Sequence, residues 1–324
     1  MYDDNRIITG FLLQFMDIKT IKIATRNSPL ALWQANHVRD LLIKAHENLN
    51  VELVQITTRG DRMLDVSLAA FGGKGLFIKE LEQALLEDHA DLAVHSMKDV
   101  TIDLPDEFIL PVVLKRDDPR DVFISNKFEN FMDMPEGSRL GTSSLRRQCQ
   151  VKSIKPELEI INLRGNVGTR LKKLDNDEYD GIILAAAGIK RLKMEDRIRQ
   201  YIPVDIVLPA IGQGAIGIEI RSGDKQTLSV IEGLNDPQTA VLVSSERAFN
   251  RRLGGGCQFP VAAYATLEQN SIHLHGLAGS IDGSEIIRGE VKGPEMDAEQ
   301  LGIMLAEELL QRGADRILGE YLDD

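Results

Sequence analysis

Arginine recurs in this sequence where a helix ordinarily disfavours it. Arg146 and Arg147 fall in the first turn after Ser143-Ser144, two good helix-capping residues. A cation there opposes the positive end of the helix dipole, at about 0.3–1 kcal/mol each. A bound anion would remove that conflict and use the free backbone N–H groups as well. Arg164 precedes a second expected helix start, Arg170 lies one turn inside that helix, and Arg26 stands just before Ser28. Residues 138–173 hold nine Lys/Arg against two Asp/Glu, in a chain of net charge −12. Such a group reads either as a solvated basic surface or as a receptor for carboxylates or phosphates. The repeated coincidence of caps and charges favours the receptor.

Asp99 follows an apolar strand-like run, beside Lys98. A carboxylate at the carboxyl end of a strand can stabilise a developing cation or relay a proton. Taken alone, a loop aspartate bridging to Lys98 is the simpler reading. Cys257 follows three glycines, which allow close backbone approach and unusual φ. A thiol on such a loop can be accessible, although most free cysteines pack as small apolar groups. Cys149 reads as packing within a helix. Gly212-Gln213-Gly214-Ala215-Ile216-Gly217 fits a dinucleotide fingerprint but runs into Ile218-Glu219-Ile220, which alternates like a strand, so it is a decoy. Lys74 lies in the Gly72-Gly73-Lys74-Gly75 loop without the spacing or the following Ser/Thr of an ATP-binding loop. His273 and His275 share one strand face with no third ligand nearby in sequence. They read as a polar outer face, and no metal is expected. His95, in an apolar strand, reads as a satisfied core residue.

The elements that would hold these groups alternate between short apolar strands and helices, an α/β pattern with largely parallel pairing. Strands are expected at 20–25, 51–57, 90–95, 139–142, 158–163, 179–185 and 215–220. Ser28 with Pro29 starts a helix reaching about residue 46, Ser143 or Ser144 caps another, and Asn166 caps a third. The charged, proline-containing stretch 114–121 reads as a crossover between two α/β units. Asn235-Asp236-Pro237 marks a boundary. Beyond it, a helix, three alternating strands and a C-terminal helix read as a small α+β domain.

With 324 residues the chain suits two or three domains. Its acidity argues against non-specific nucleic-acid binding. Two distant cysteines form neither a disulfide framework nor a zinc spacing, so a reducing, cytoplasmic location is expected. No apolar run reaches the length of a membrane span and no secretory signal is evident, so no membrane partner is expected. The first fifteen residues are expected to be an extension outside the fold, with Met16 as an alternative translation start. Nothing in the sequence demands an oligomer, and a monomer is expected.

Taken together, these stretches resemble the porphobilinogen deaminase family. The matching runs are Ala24-Thr25-Arg26-Asn27-Ser28-Pro29-Leu30-Ala31, Gly72-Gly73-Lys74-Gly75-Leu76-Phe77 and Ala93-Val94-His95-Ser96-Met97-Lys98-Asp99. They continue with Gly141-Thr142-Ser143-Ser144-Leu145-Arg146-Arg147, Leu163-Arg164-Gly165-Asn166-Val167-Gly168-Thr169-Arg170, Gly212-Gln213-Gly214-Ala215 and Gly255-Gly256-Cys257. The likeness covers nearly everything from Ile21 onward.

The resemblance implies two lobes like those of type II periplasmic binding proteins, plus a small α+β C-terminal domain. On that reading 16–114 and 215–233 form the first domain, 115–214 the second, and 234–324 a third that carries the cofactor cysteine. It implies a dipyrromethane cofactor joined to Cys257 by a thioether and held by Lys98, Ser144, Arg146, Arg147 and Gln213. It implies the substrate porphobilinogen, whose acetate and propionate groups would meet Arg26, Ser28, Arg164 and Arg170. Asp99 would be catalytic, and Lys74 and Phe77 are candidates for a lid. The implied activity is a transferase of haem biosynthesis that joins four porphobilinogen units into hydroxymethylbilane. Two rivals share parts of this pattern: a non-catalytic two-lobed binding protein for carboxylates, and a nicotinamide oxidoreductase resting on Gly212–Gly217.

Overall fold

The computed structural model describes residues 20–58, 78–255 and 259–319. Expectations that fall on the 1–15 extension, on Lys74 and Phe77, and on Cys257 lie outside them.

The first lobe opens with strand β1 (Thr20–Arg26) and helix α1 (Pro29–Ala45). Ser28 caps that helix as expected, its hydroxyl accepting a hydrogen bond from the Ala31 amide. Strand β2 (Asn50–Ile56), helix α2 (Lys79–Leu86), strand β3 (Leu92–Ser96) and strand β4 (Phe108–Val113) follow. The chain then crosses to a second lobe through residues 114–120. There β5 (Asp121–Ile124), β6 (Arg139–Gly141), α3 (Leu145–Ile154), β7 (Glu159–Ile161), α4 (Val167–Asp175), β8 (Gly181–Ala185), α5 (Ala186–Arg191) and β9 (Gln200–Ile202) succeed one another. A second crossing returns to β10 (Ile216–Arg221) and α6 (Lys225–Ile231) in the first lobe.

The two sheets have one layout. The first runs β2-β1-β3-β10-β4 and the second β7-β6-β8-β5-β9. In each, three parallel strands adjoin an antiparallel strand, β10 or β5, that has just arrived from the other lobe. The pairing is therefore mixed rather than largely parallel, because each crossing reverses the direction of the strand it delivers. β3, β8 and β10 are buried along nearly their whole length, as expected of strands covered on both faces. The strands β4, β5 and β9 are not anticipated from the sequence. β4 carries Pro111, tolerated because β4 is an edge, while β5 and β9 have only four and three residues.

A third unit follows with a sheet of its own. Asp236 caps α7 (Pro237–Arg252), accepting from the Thr239 amide, with Pro237 in the first turn. Strands β11 (Val261–Glu268), β12 (Ser271–Gly279) and β13 (Ile286–Pro294) form an antiparallel sheet against α7 and α8 (Ala298–Leu309). Its other face meets the second lobe where Cys149 packs with Leu208, Ala262 and Leu277. Burial pushes the Cys149 thiol up to about 12, in keeping with a packing role.

One ion pair ties these units together. Arg116, on the first crossing, donates through both terminal nitrogens to the buried Glu246 of α7, at 2.7 and 2.8 Å. Glu246 also accepts from the Gly212 amide on the second crossing and from Ala265 on β11, at 2.7 and 2.9 Å. Removing one partner of a buried pair strands the other, which typically costs about 3–5 kcal/mol. Glu246→Ala is expected to lower stability by about that amount in urea unfolding. A loss below about 1 kcal/mol would show that this junction does not hold the units.

Candidate functional site

Parallel strands deliver their carboxyl ends, and the loops that follow them, to one edge of each sheet. In the first lobe that edge carries Arg26 at the end of β1 and Ser28 after it, and Lys98 with Asp99 in the short turn Met97–Asp99 after β3. Gln34 of α1 donates to the Ser96 hydroxyl at 2.7 Å, tying the two loops together. In the second lobe the same edge carries Ser144, Arg146 and Arg147 after β6, and Arg164 after β7, with Arg170 inside α4. Asn166 caps α4, accepting from the Thr169 amide at 2.9 Å, as its sequence context predicts.

Electrostatics places the two edges against each other. Lys98 is pushed down to about 8, first by removal from water. Asp99 opposes that shift, and Arg147 and Arg146 of the other lobe reinforce it. Arg170 is pushed down to about 10, again first by burial, then by the like charge of Arg147; Asp99 acts against both. Asp99 is exposed, while Lys98, Arg164 and Arg170 are half-buried. The structure thus gathers Lys98, Asp99, Arg147, Arg164 and Arg170 in one field.

Arg146 and Arg147 lie in the first turn of α3, after the Ser144 cap position, where the sequence puts them. Both are buried, and both already hold a carboxylate of this chain. Arg146 donates to Asp121 Oδ2 at 2.8 Å and Arg147 to Asp121 Oδ1 at 2.7 Å. They also donate to the Leu208 and Ile183 carbonyls. An internal aspartate, rather than only a bound anion, relieves the conflict with the helix dipole. Gln213 joins the group, donating to Asp121 Oδ1 at 3.0 Å and to the Pro119 carbonyl at 2.6 Å. Ser144 occupies the cap position of α3 without a side-chain cap bond, and Ser143 donates to the Leu163 carbonyl instead.

Two residues of this site escape sequence reasoning. Asp121 gives one weak signal, a charge heading the apolar run Val122-Phe123-Ile124. Arg191 of α5 is buried, donates to the Gly214 carbonyl at 2.6 Å and lies over the Trp33 ring of the first lobe at 5.4 Å. The decoy glycines have their own reason. Gly212 and Gly214 have φ of +68° and +91°, and a Cβ at Gly214 would lie 2.6 Å from the Asp117 carbonyl oxygen. They permit the tight crossing into β10, a strand rather than a helix. His95 bonds Glu219 at 2.8 Å in the core, also as expected.

An anionic group suits what remains. Among the described residues, five cationic side chains (Lys98, Arg146, Arg147, Arg164 and Arg170) gather with two carboxylates (Asp99 and Asp121). The buried Nε atoms of Arg146 and Arg147, both donors, have no hydrogen-bond partner and suit an anion, while the Oε1 of Gln213, an unpartnered acceptor, suits an N–H group of the same ligand. Uncapped amides at the α3 N-terminus add favourable dipole.

Burial by itself would raise the Asp121 pKa, but Arg146 and Arg147 reverse this and hold it well below the usual carboxylate range. A depressed folded value gives stability that is present above the unfolded pKa of about 3.9 and is lost as pH falls through the folded one. Asp121→Asn is expected to destabilise the chain by about 3–5 kcal/mol at pH 7 in urea unfolding. That deficit should hold steady across neutral pH and shrink only in strong acid. A neutral substitution would mean that the two guanidiniums do not need this counter-charge.

Comparisons with known proteins follow this geometry. Residues 21–229 match the family model for the porphobilinogen deaminase dipyrromethane cofactor binding domain, and residues 240–311 match its C-terminal domain. Among solved structures, a nutrient binding protein from Burkholderia cenocepacia bound to methionine is 14% identical, with TM-score 0.41 over 68% of this chain and 93% of its own. The periplasmic VFT2 domain of Bordetella pertussis BvgS is 13% identical, with TM-score 0.41 over 67% and 86%. The methionine binding protein MetQ is 11% identical, with TM-score 0.42 over 69% and 93%. With its cofactor-binding and C-terminal domains both matched, the chain belongs to the porphobilinogen deaminase family, the hydroxymethylbilane synthase transferases of tetrapyrrole biosynthesis, and carries that family's dipyrromethane cofactor-binding domain.

Proposed function

We propose that this chain is a cytoplasmic monomer that deaminates four porphobilinogen molecules and joins them head to tail into hydroxymethylbilane, with the dipyrromethane primer attached to Cys257 by a thioether. The observation that carries this reading is the position of Asp99 and Lys98 within the field of Arg147 and Arg170 from the opposite lobe. A substrate bearing two carboxylates and losing an amine needs that combination: fixed cations around one aspartate. The domain division 16–114 with 215–233, 115–214 and 234–324 belongs to the same reading, and each part has its own sheet in support.

When bound, dipyrromethane supplies a nucleophilic pyrrole carbon to which substrate units can be joined. Lys98, Ser144, Arg146, Arg147 and Gln213 would hold it. The unpartnered Nε atoms of Arg146 and Arg147 support that assignment. Arg26, Ser28, Arg164 and Arg170 would take the acetate and propionate of porphobilinogen. Arg170 donates through Nε to the Gly165 carbonyl at 2.7 Å, which holds its guanidinium near the start of α4. Asp99 would face the substrate pyrrole nitrogen and stabilise its positive charge as ammonia leaves. Once bound substrate covers the exposed Asp99 and displaces water from it, such a carboxylate can be worth several kcal/mol of barrier. It can also take the proton released when the new carbon–carbon bond forms. Lys74 and Phe77 remain proposed as a lid.

Intact mass measured under denaturing conditions tests the attachment. The purified chain is expected to carry a covalent increment of two pyrrole units that disappears in Cys257→Ser; active protein without the increment refutes the reading. Asp99→Asn is expected to retain the increment while kcat falls about 10²–10⁴-fold. Turnover near the parent rate would remove Asp99 from its role.

A further inference from the structure

The face of the C-terminal sheet that packs on the second lobe through Leu277 carries, further along β12, a constellation that the reaction does not use. His273 and His275 of β12 project from one face, and the register sets Glu290 of β13 directly opposite His275. The two imidazole rings lie 4.0 Å apart, centroid to centroid. Glu290 Oε2 is 3.1 Å from His273 Nε2 and 3.4 Å from His275 Nδ1. All three ligand atoms lie within 4.8 Å of one another. The sequence reading found no third ligand for this histidine pair. The hairpin supplies one, fifteen residues along the chain from His275.

We propose that His273, His275 and Glu290 form a binding site for one divalent transition-metal ion of the zinc type. Two imidazoles and a carboxylate are the ligand set such ions take when three protein groups bind and a fourth position stays open to water. Bonds of about 2.0–2.1 Å in a tetrahedron require ligand-to-ligand edges of about 3.3–3.4 Å. The two Glu290 edges already approach that spacing, so little rearrangement is needed. Both histidines are half-buried on a paired strand, which restricts their movement better than a loop would. Lys292, opposite His273 on β13, opposes an incoming cation, and Tyr264 flanks His275 from β11.

Cobalt(II) alone is the probe, titrated into the full chain after chelator treatment and followed by visible absorption. The expected result is one equivalent bound with nitrogen and oxygen ligation and no thiolate charge-transfer band. His273→Ala and His275→Ala should each weaken binding more than tenfold, and the double variant should abolish it. Lys292→Ala should tighten binding. Circular dichroism on each variant establishes that these surface changes leave the fold intact. Absence of saturable cobalt binding, unchanged affinity in the folded double variant, or a thiolate band would each overturn the proposal.

Discussion

Two arginines in the first turn of a buried helix require a counter-charge, and Asp121 supplies it to both. Without it, α3 would point two guanidiniums and its own dipole into the same space. With it, Arg146 and Arg147 are fixed within the second lobe, and Gln213 on the return crossing is drawn to the oxygen that Arg147 holds. The site therefore inherits its position from a buried charge network and not from flexible surface side chains. Such a network contributes more to geometry than to stability, since burying the charges offsets much of their attraction.

The crossings make this arrangement an inter-lobe one. Arg116 and the Gly212 amide converge on Glu246, while Arg191 reaches Gly214 and Trp33. Both connections between the lobes are thus anchored by buried, charge-assisted bonds near the same point. Lys98 and Asp99 on one side, and Arg147 and Arg170 on the other, act on one another across that junction.

Much of the architecture is legible in the residues. Ser28-Pro29, Asn166 and Asp236-Pro237 mark helix starts through local hydrogen bonds, which depend only on neighbours in the chain. The long apolar strands and the decoy glycine run are likewise readable, because strand and helix differ in period. The motifs that carry the family likeness also mark the strand ends where the charged side chains gather. The short edge strands β4 and β9 are not legible, since proline or brevity removes their periodic signal.

What the sequence by itself determined is the inventory: capped helices, buried strands, an excess of arginine in an acidic chain, and the family to which they belong. What only the tertiary structure decided is the pairing of those charges. Asp121 meets Arg146 and Arg147 across 25 and 26 residues, and Glu246 meets Arg116 across 130. Glu290 completes a histidine pair only because two strands lie in one register. Local bonding rules act over a few residues and can be read along the chain. Coulombic partners are selected by distance in space, which the fold sets and the sequence order conceals.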